Sequence, residues 1–287
     1  MKFHFIAAHR SEFRLGTLCR VLGVSRSGYY AWHQRPAPRR DERNDALLVH
    51  IHAAYQRGRQ AYGSPRVHQE LVQQGIPCGR HRVARLMRQE GIVACTERQF
   101  RWTATPRAEL PAAPDRLQRV FWAPAPNCRW VSDITSVRTG QGWLHLAIVL
   151  DLFSRRIVGW AMHATLSQEL VHEALAMALA ERRPPPGLLF HSDRGGQYLS
   201  ATVQELLDAH GSIASTSRPG ACLDNAVAES FFHSLKTELV YHHRYRTREE
   251  ARLAIFDYIA AFYNRIRRHS SIGYHSPEEH EAAYTAA

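Results

Sequence analysis

Lysine is nearly missing from this chain of 287 residues. It occurs twice, at Lys2 and Lys236, although lysine and arginine together number 37. Positive charge is therefore carried almost wholly by arginine. Cysteine is also sparse: the five residues Cys19, Cys78, Cys95, Cys128 and Cys222 are odd in number, scattered and without a CxxC pair. That excludes a disulfide framework and a zinc ribbon, and fits free thiols in a reducing compartment. Long apolar runs are missing too. The longest, Trp143 to Leu150, stops at Asp151 and has the length of a strand rather than a membrane span. The opening stretch Met1 to Ala8 is too short for a signal peptide and is interrupted by His4. No heptad run and no low-complexity segment occurs, so neither a coiled coil nor a fibre is expected. The expectation is a soluble, cytoplasmic protein, and 45% hydrophobic residues suffice for a buried core.

The charge is uneven. Residues 1–120 hold 21 Lys+Arg against 9 Asp+Glu, whereas residues 121–287 hold 16 against 17. A basic front half suits a polyanion, since arginine contacts to phosphate release condensed counterions. It equally suits an arginine-rich solvated surface.

The front half reads as small helices. Phe13 to Leu22 carries apolar residues near helical spacing, Gly23-Val24-Ser25 turns the chain, and Ser25 is placed to cap Arg26 to His33. Helix, short turn and basic helix form a helix-turn-helix pattern. Arg35-Pro-Ala-Pro-Arg-Arg40 reads as a linker, followed by a helix from Asp41 to Gln56. A second helix pair follows. Ser64 is the expected cap, with Val67, Leu71 and Val72 as an apolar stripe. After Gly75-Ile76-Pro77, the helix from about Gly79 to Glu90 turns Val83, Leu86 and Met87 inward and leaves Arg80, Arg82, Arg85 and Arg88 on other faces. From Thr96 to Pro126 proline and arginine recur without period, as in a linker.

From Asn127 the pattern changes. Cys128–Val137, Trp143–Leu150 and Arg156–Met162 read as an antiparallel meander. Helices over Ser167–Arg182, Leu199–His210 and Asp224–Val240 then alternate with short strands at Leu188–His191 and Ser212–Ser215. A last helix, Arg248 to Arg265, carries Leu253, Phe256, Ile259, Ala260 and Tyr263 at helical spacing. This order predicts an α/β domain, a mixed sheet with helices packed on it, preceded by small all-helical segments. The expected division is 1–40, 41–95, a linker at 96–120, and a core at 121–287.

Three acids stand out by placement. Asp133 lies inside a strand, where a charged side chain needs a partner. Asp193 follows a short strand and precedes Arg194-Gly195-Gly196. Glu229 lies one turn into a helix expected to be capped by Asp224 or Asn225. Singly, each has a structural reading: a hydrogen-bonded strand acid, an Asx-turn residue, and an acid stabilising a helix dipole. Together they suit a hard divalent cation, because carboxylate oxygens prefer magnesium or manganese to zinc. Lys236 adds a separate clue. Seven residues after Glu229, it returns to nearly the same helix face two turns on, placed to hold a DNA-end phosphate as a point charge. His233 shares that face. Asp151 is expected to be structural. The 18 histidines form no ligand pattern.

The motifs Trp130-Val-Ser-Asp-Ile-Thr135, His191-Ser-Asp-Arg-Gly-Gly-Gln-Tyr198 and Asp224-Asn-Ala-Val-Ala-Glu-Ser-Phe-Phe232 resemble those of the integrase-core transposases of bacterial insertion sequences, relatives of retroviral integrases. Thirty-five residues separate Asp193 from Glu229, the spacing of that family's acidic triad. The resemblance runs from about residue 11 through Phe262-Tyr-Asn-Arg-Ile-Arg-Arg-His-Ser-Ser271 to Ser276-Pro-Glu-Glu279, so nearly the whole chain is covered. It implies a ribonuclease H-like core. It also implies Asp133, Asp193 and Glu229 as catalytic residues and ligands of two Mg²⁺ or Mn²⁺ ions. The implied partners are double-stranded DNA, as terminal inverted repeats and target, and further copies of the chain on that DNA. An upstream-frame product as partner or fusion is implied as well. DNA contacts are expected at Lys236, Arg194, His233, Arg26, Arg66, Arg80, Arg82, Arg85 and Arg268. Two other readings remain open at this point: a DNA-binding regulator without catalysis, and a ribonuclease H-like nuclease without strand transfer.

Overall fold

The computed structural model describes residues 1–34, 39–95 and 112–286. Residues 35–38 of the expected first linker and 96–111 of the second lie outside the described residues. The chain divides into two compact units, Met1–His52 and Ala53–Ala287.

In the first unit, α1 (Lys2–His9), α2 (Leu15–Val21) and α3 (Arg26–His33) enclose a small core of Ile6, Leu18, Cys19 and Tyr29, with Phe3 and Trp32 packed against it. The helix-turn-helix geometry follows from local chemistry. Gly23 takes φ +63°, which glycine adopts without a Cβ penalty, and Ser25 Oγ accepts a hydrogen bond from Gly28 N at 3.0 Å. Helix α1 was not evident in the sequence, where Met1 to Ala8 has no clear period. Helix α4 (Arg39–Arg57) leads out of this unit.

The second helix pair is α5 (Ser64–Gln73) and α6 (Arg80–Gln89). Two expectations are corrected here. Gly63, not Ser64, is the cap residue of α5, and Ser64 is its first helical residue. Val72 is exposed, while Glu70 is buried beside Val67 and Leu71, because Glu70 meets an arginine from the C-terminal part of the chain. In α6 the buried residues are Val83, Leu86 and Met87, as the period requires.

The core is a five-stranded mixed sheet. Strands β1 (Arg129–Thr139), β2 (Gly142–Asp151) and β3 (Ile157–His163) form the antiparallel meander. Then come α7 (Gln168–Arg182), β4 (Leu189–Ser192), α8 (Ala201–Ala209) and β5 (Ile213–Thr216). The strand order is β3-β2-β1-β4-β5, with β4 parallel to both β1 and β5. Trp130, Ala147, Val149, Val158 and Phe190 from the sheet pack with Leu170, Ala174, Leu175 and Ala178 of α7 and Val203 and Leu207 of α8. Small residues let α7 approach closely. A Cβ on Gly159 would lie 2.2 Å from the Ala174 carbonyl oxygen.

After a 3₁₀ turn at Cys222–Asn225 come α9 (Ala226–Glu238) and α10 (Arg248–Asp257), which contact β1, with α10 also reaching β2. The expected last helix is interrupted. It becomes π-helical over Tyr258–Tyr263, and the extra residue per turn rotates the register. Leu253 and Phe256, expected inward, are therefore exposed, whereas Ile255, Tyr258, Ile259, Phe262 and Tyr263 are buried. Helix α11 (Pro277–Thr285) closes the chain, started by a capping box between Ser276 and Glu279. Its Glu281 accepts hydrogen bonds from Ser154 and from the guanidinium groups of Arg156 and Arg182.

Replacing Gly159 by alanine is expected to lower stability by about 1–3 kcal/mol, because backbone atoms of α7 must retreat. Chemical denaturation reads this directly, and an unchanged midpoint would show that α7 yields freely.

Candidate active site

The pairing of β1 with β4 places the first two acids. Trp130 lies opposite Phe190 and Val131 opposite His191. Asp133 lies two residues beyond the last of these pairs on β1, and Asp193 directly follows β4, two residues beyond His191. Asp133 is half-buried in mid-strand, and its Oδ1 accepts a hydrogen bond from Ile134 N at 2.8 Å. Asp193 is the first residue beyond β4, at the carboxyl end of a parallel strand, where open α/β sheets receive ligands. Its Oδ1 accepts from Gly195 N at 2.8 Å, and a Cβ on Gly195 would lie 2.9 Å from that oxygen. The Asx-turn reading is thus true of Asp193.

The floor of the site is a buried hydrogen-bonded layer. Tyr198 OH and Ser132 Oγ are 2.9 Å apart, and Ser132 donates to the Ile148 carbonyl at 2.7 Å. Burial, reinforced by the negative charges of Asp133 and Asp193, pushes the Tyr198 phenol well above its ordinary pKa. Both carboxylates therefore act on one hydroxyl. His191 sits between Ser215 Oγ (2.9 Å) and Ser217 Oγ (3.2 Å), and burial lowers its pKa against the pull of nearby acids.

Helix α9 is pinned to this layer by Asn225, whose Nδ2 donates to the Ser132 carbonyl at 2.9 Å. The expectation that Asp224 caps the helix is corrected. Its carboxylate accepts from Arg218 Nε and Nη2 at 3.0 and 2.9 Å and from Arg119 Nε at 2.7 Å. The Arg218 hydrogen bonds, opposed by burial and aided by Arg119, hold its pKa well below the usual carboxylate range. Asp151 is structural as expected. Fully buried, it accepts from Asn127 N, Phe153 N and Trp130 Nε1, while burial raises its pKa.

Glu229 and His233 are exposed on α9. Lys236 is half-buried; burial lowers its pKa, and the Asp133 carboxylate opposes that shift. Lys236 thus lies within the field of Asp133. Among the described residues, no group of three or more His, Cys, Asp or Glu side chains is gathered closely enough to hold one metal ion. The candidate site brings Asp133 of β1 and Asp193, just beyond β4, together with Glu229 exposed on α9. Two adjacent carboxylates suit magnesium, which commonly takes one or two from the protein and keeps its other positions for water and phosphate.

The expected DNA contacts divide. Arg26, Arg80 and Arg88 are exposed, and Arg82 and Arg85 are half-buried. Arg194 donates from Nε to the Ser217 carbonyl at 3.0 Å. Arg66 donates from Nε to the Arg268 carbonyl at 3.0 Å. Arg268 is a correction. It is 4% exposed, with Nε 2.8 Å from Glu70 and Nη1 on Glu279, so its charge is neutralised in the interior. Nothing in the local sequence marked Glu70 as its partner, 198 residues away. Tyr198, Ser132 and Asn225 were likewise missed as a supporting layer, although all three lie inside the quoted motifs.

The integrase core domain family matches residues 123–222 and, through a second integrase core domain family, residues 229–283; an HTH-like domain matches 42–100. The sheet and its carboxylate pair are therefore those of a polynucleotidyl transferase of the DDE type. Transposase InsF for insertion sequence IS3A of Escherichia coli K12 is 43% identical over 284 residues, 98% of each chain. An insertion element IS600 protein of 31 kDa from Shigella sonnei is 43% identical over 267 residues, 93% of this chain and 98% of that one. The chain belongs to the IS3 family of transposases with an integrase core. Among solved structures it is similar to a simian T-cell lymphotropic virus intasome in complex with PP2A regulatory subunit B56 gamma (TM-score 0.48, 18% identity, 62% of this chain and 60% of that one). It is also similar to the HTLV-2 integrase catalytic core domain in complex with magnesium (TM-score 0.41, 17% identity, 55% and 98%). No helix among the described residues is long and apolar enough to cross a membrane.

Two outcomes follow from this geometry. Arg268→Met is expected to lower stability by roughly 1–3 kcal/mol, because it removes the buried partner of Glu70 and leaves that carboxylate only Arg57 at 3.4 Å and the Gln74 amide at 3.0 Å. Chemical denaturation measures it, and a variant that keeps its stability but loses DNA affinity would restore Arg268 as a DNA contact. Asp224→Asn tests the clamp. Since the folded-state pKa is depressed, its stabilisation is complete above the unfolded aspartate value of ~3.9 and drains away as pH falls toward the folded value. The wild type should be the more stable at pH 7, with the gap closing below about pH 4. A gap independent of pH would remove the ionic explanation.

Proposed function

We propose that this transposase cleaves the phosphodiester at each end of its insertion sequence and joins the freed 3′ hydroxyl to target DNA. The observation that carries the reading is the parallel pairing of β1, which bears Asp133, with β4, which Asp193 directly follows, with Lys236 in the field of Asp133. Asp133 and Asp193 would hold two divalent cations, Mg²⁺ or Mn²⁺, and Glu229 would complete the set as α9 settles on bound DNA. Bound there, the cations supply Lewis-acid stabilisation of the attacking and leaving oxygens.

The residues do the positioning. Asp133 and Asp193 concentrate negative charge at the carboxyl edge of the sheet, over a floor kept neutral by the Tyr198 phenol. The buried Tyr198–Ser132–Asn225 layer fixes the distance between the strands and α9. Lys236 holds the phosphate next to the scissile bond. Water attacks phosphorus in line, forming a new P–O bond while the bond to the 3′ oxygen breaks, and the 3′ oxygen takes up a proton. In the second reaction that hydroxyl attacks a target phosphodiester, losing its proton as the target's 3′ oxygen leaves. Positioning and charge stabilisation carry both steps, with no covalent enzyme intermediate.

The helical segments at 1–40 and 41–95 would read the terminal inverted repeats, with Arg26, Arg80, Arg82, Arg85 and Arg88 facing the DNA. The match of residues 42–100 to an HTH-like domain supports this. Joining two ends requires more than one copy of the chain on the DNA, and an upstream-frame product is the natural further partner.

Asp133→Asn, Asp193→Asn and Glu229→Gln are each expected to reduce cleavage and joining by at least about 100-fold, with end binding retained. Assays with an end-bearing duplex, a pre-cut end and Mg²⁺ separate the steps. Cleavage surviving any of the three substitutions would remove that residue from the chemistry. Cleavage without joining of the pre-cut end would leave a nuclease.

A further inference from the structure

Beside the carboxylate pair lies a second polar feature that this function does not use. A cavity of about 270 Å³ opens between α9 and the segment after the π-helical turn. Its charged and polar lining is Arg66, Arg155, Arg267 and His269, with serines from both sides, and the first residues of α9, Ala226 and Val227, form one wall.

The charges here do not cancel. Arg267 is buried and chelated by Glu238, with Nη2 2.6 Å from Oε1 and Nε 2.8 Å from Oε2. Its Nη2 also donates to Ser234 Oγ at 3.0 Å. Among the described residues, Glu238 is also the one carboxylate in ion-pair range of Arg66, at 3.8 Å. One acid therefore serves two guanidinium groups. Arg155 has none in ion-pair range among the described residues, although Asp151 acts on it from further away. Its Nη2 donates to the Phe121 carbonyl at 2.7 Å, while its Nη1 is buried without a hydrogen-bond partner. A buried, unsatisfied guanidinium nitrogen is unfavourable unless something arrives to accept its proton. His269 is kept neutral by burial and by the neighbouring arginines.

Arg155 occupies the turn between β2 and β3 at φ +65°. The cavity also faces the start of a helix of 13 residues, whose partial positive charge favours an anion. Ser270 and Ser271 are exposed at the mouth, so the cavity is open to a ligand.

We propose that this cavity is a receptor for one phosphate group of the DNA backbone, bound by Arg155 Nη1, Arg66 and the hydroxyls of Ser230 and Ser234 on α9. The proposal rests on the reading that the neighbouring carboxylates act on DNA. Ser230 and Ser234 face the cavity from the helix that bears Glu229 and Lys236 on its other side. A phosphate seated here would clamp α9 from behind while the strand runs past the acids. The chemistry required is that of a phosphodiester or of free phosphate, and the two sources are separable.

The test is equilibrium binding of a fluorescent end-bearing duplex to the full chain, across a salt series and without divalent ions. Arg155→Gln is expected to weaken binding about tenfold and to reduce the salt slope by about one. Because Arg155 also supports the Phe121 carbonyl, a second variant is needed. Ser271→Asp, at the exposed mouth, should weaken binding comparably, and Ser271→Asn should not. Unchanged affinity and slope in folded Arg155→Gln and in Ser271→Asp would overturn the proposal. Inorganic phosphate is the second probe: if it raises the melting temperature of the wild type and not of Arg155→Gln while DNA binding is unaffected, the site takes a free anion, and the DNA assignment falls. Binding is read without cleavage. Cleavage surviving in Asp133→Asn would therefore sink the catalytic reading and leave this result standing.

Discussion

Parallel pairing of β1 with β4 is the constraint on which the rest depends. Asp133 and Asp193 are sixty residues apart in the chain, and only that register makes them neighbours. A slip of one residue would turn one carboxylate to the opposite face of the sheet. Much of the surrounding structure guards against it. Trp130 and Phe190, paired across the two strands, are both buried under α7 and α8, so their face cannot change without exposing the core. Ser132 meets Tyr198 beneath the acids, and Asn225 ties the next helix to the Ser132 carbonyl.

Arginine plays two parts in this chain. On α6 and α3 it is at or near the surface. Beyond residue 150 much of it is spent inside. Arg267 on Glu238, Arg268 on Glu70 and Arg182 on Glu281 are buried or nearly so, and each joins segments far apart in sequence. Removing one partner of such a pair leaves a charge in low dielectric, and the C-terminal segment is held to the core in this way. The near balance of charge in residues 121–287 is therefore one of paired charges. Arg155, whose inner nitrogen has no acceptor among the described residues, departs from that pattern.

Among the described residues, Glu229 and the two aspartates do not form a group close enough to hold one metal ion. Asn225 anchors the start of α9, Glu229 lies one turn further on, and Lys236 already reaches the field of Asp133.

The order of strands and helices was legible in the sequence because period and turn chemistry are local. Gly140 to Gly142 between two apolar runs specifies a hairpin, and Ser25 behind a glycine turn specifies a helix start. Asp133, Asp193 and Glu229 were singled out there by motif and spacing. What only the tertiary structure decided are the partnerships. Glu70 with Arg268, Asp224 with Arg218 and Arg119, and the empty side of Arg155 depend on which surfaces meet across tens or hundreds of residues, and no local pattern encodes that. The π-helical turn that exposes Leu253 and Phe256 was hidden for the same reason: the extra residue is accommodated by what packs against it, not by the residues of the helix alone.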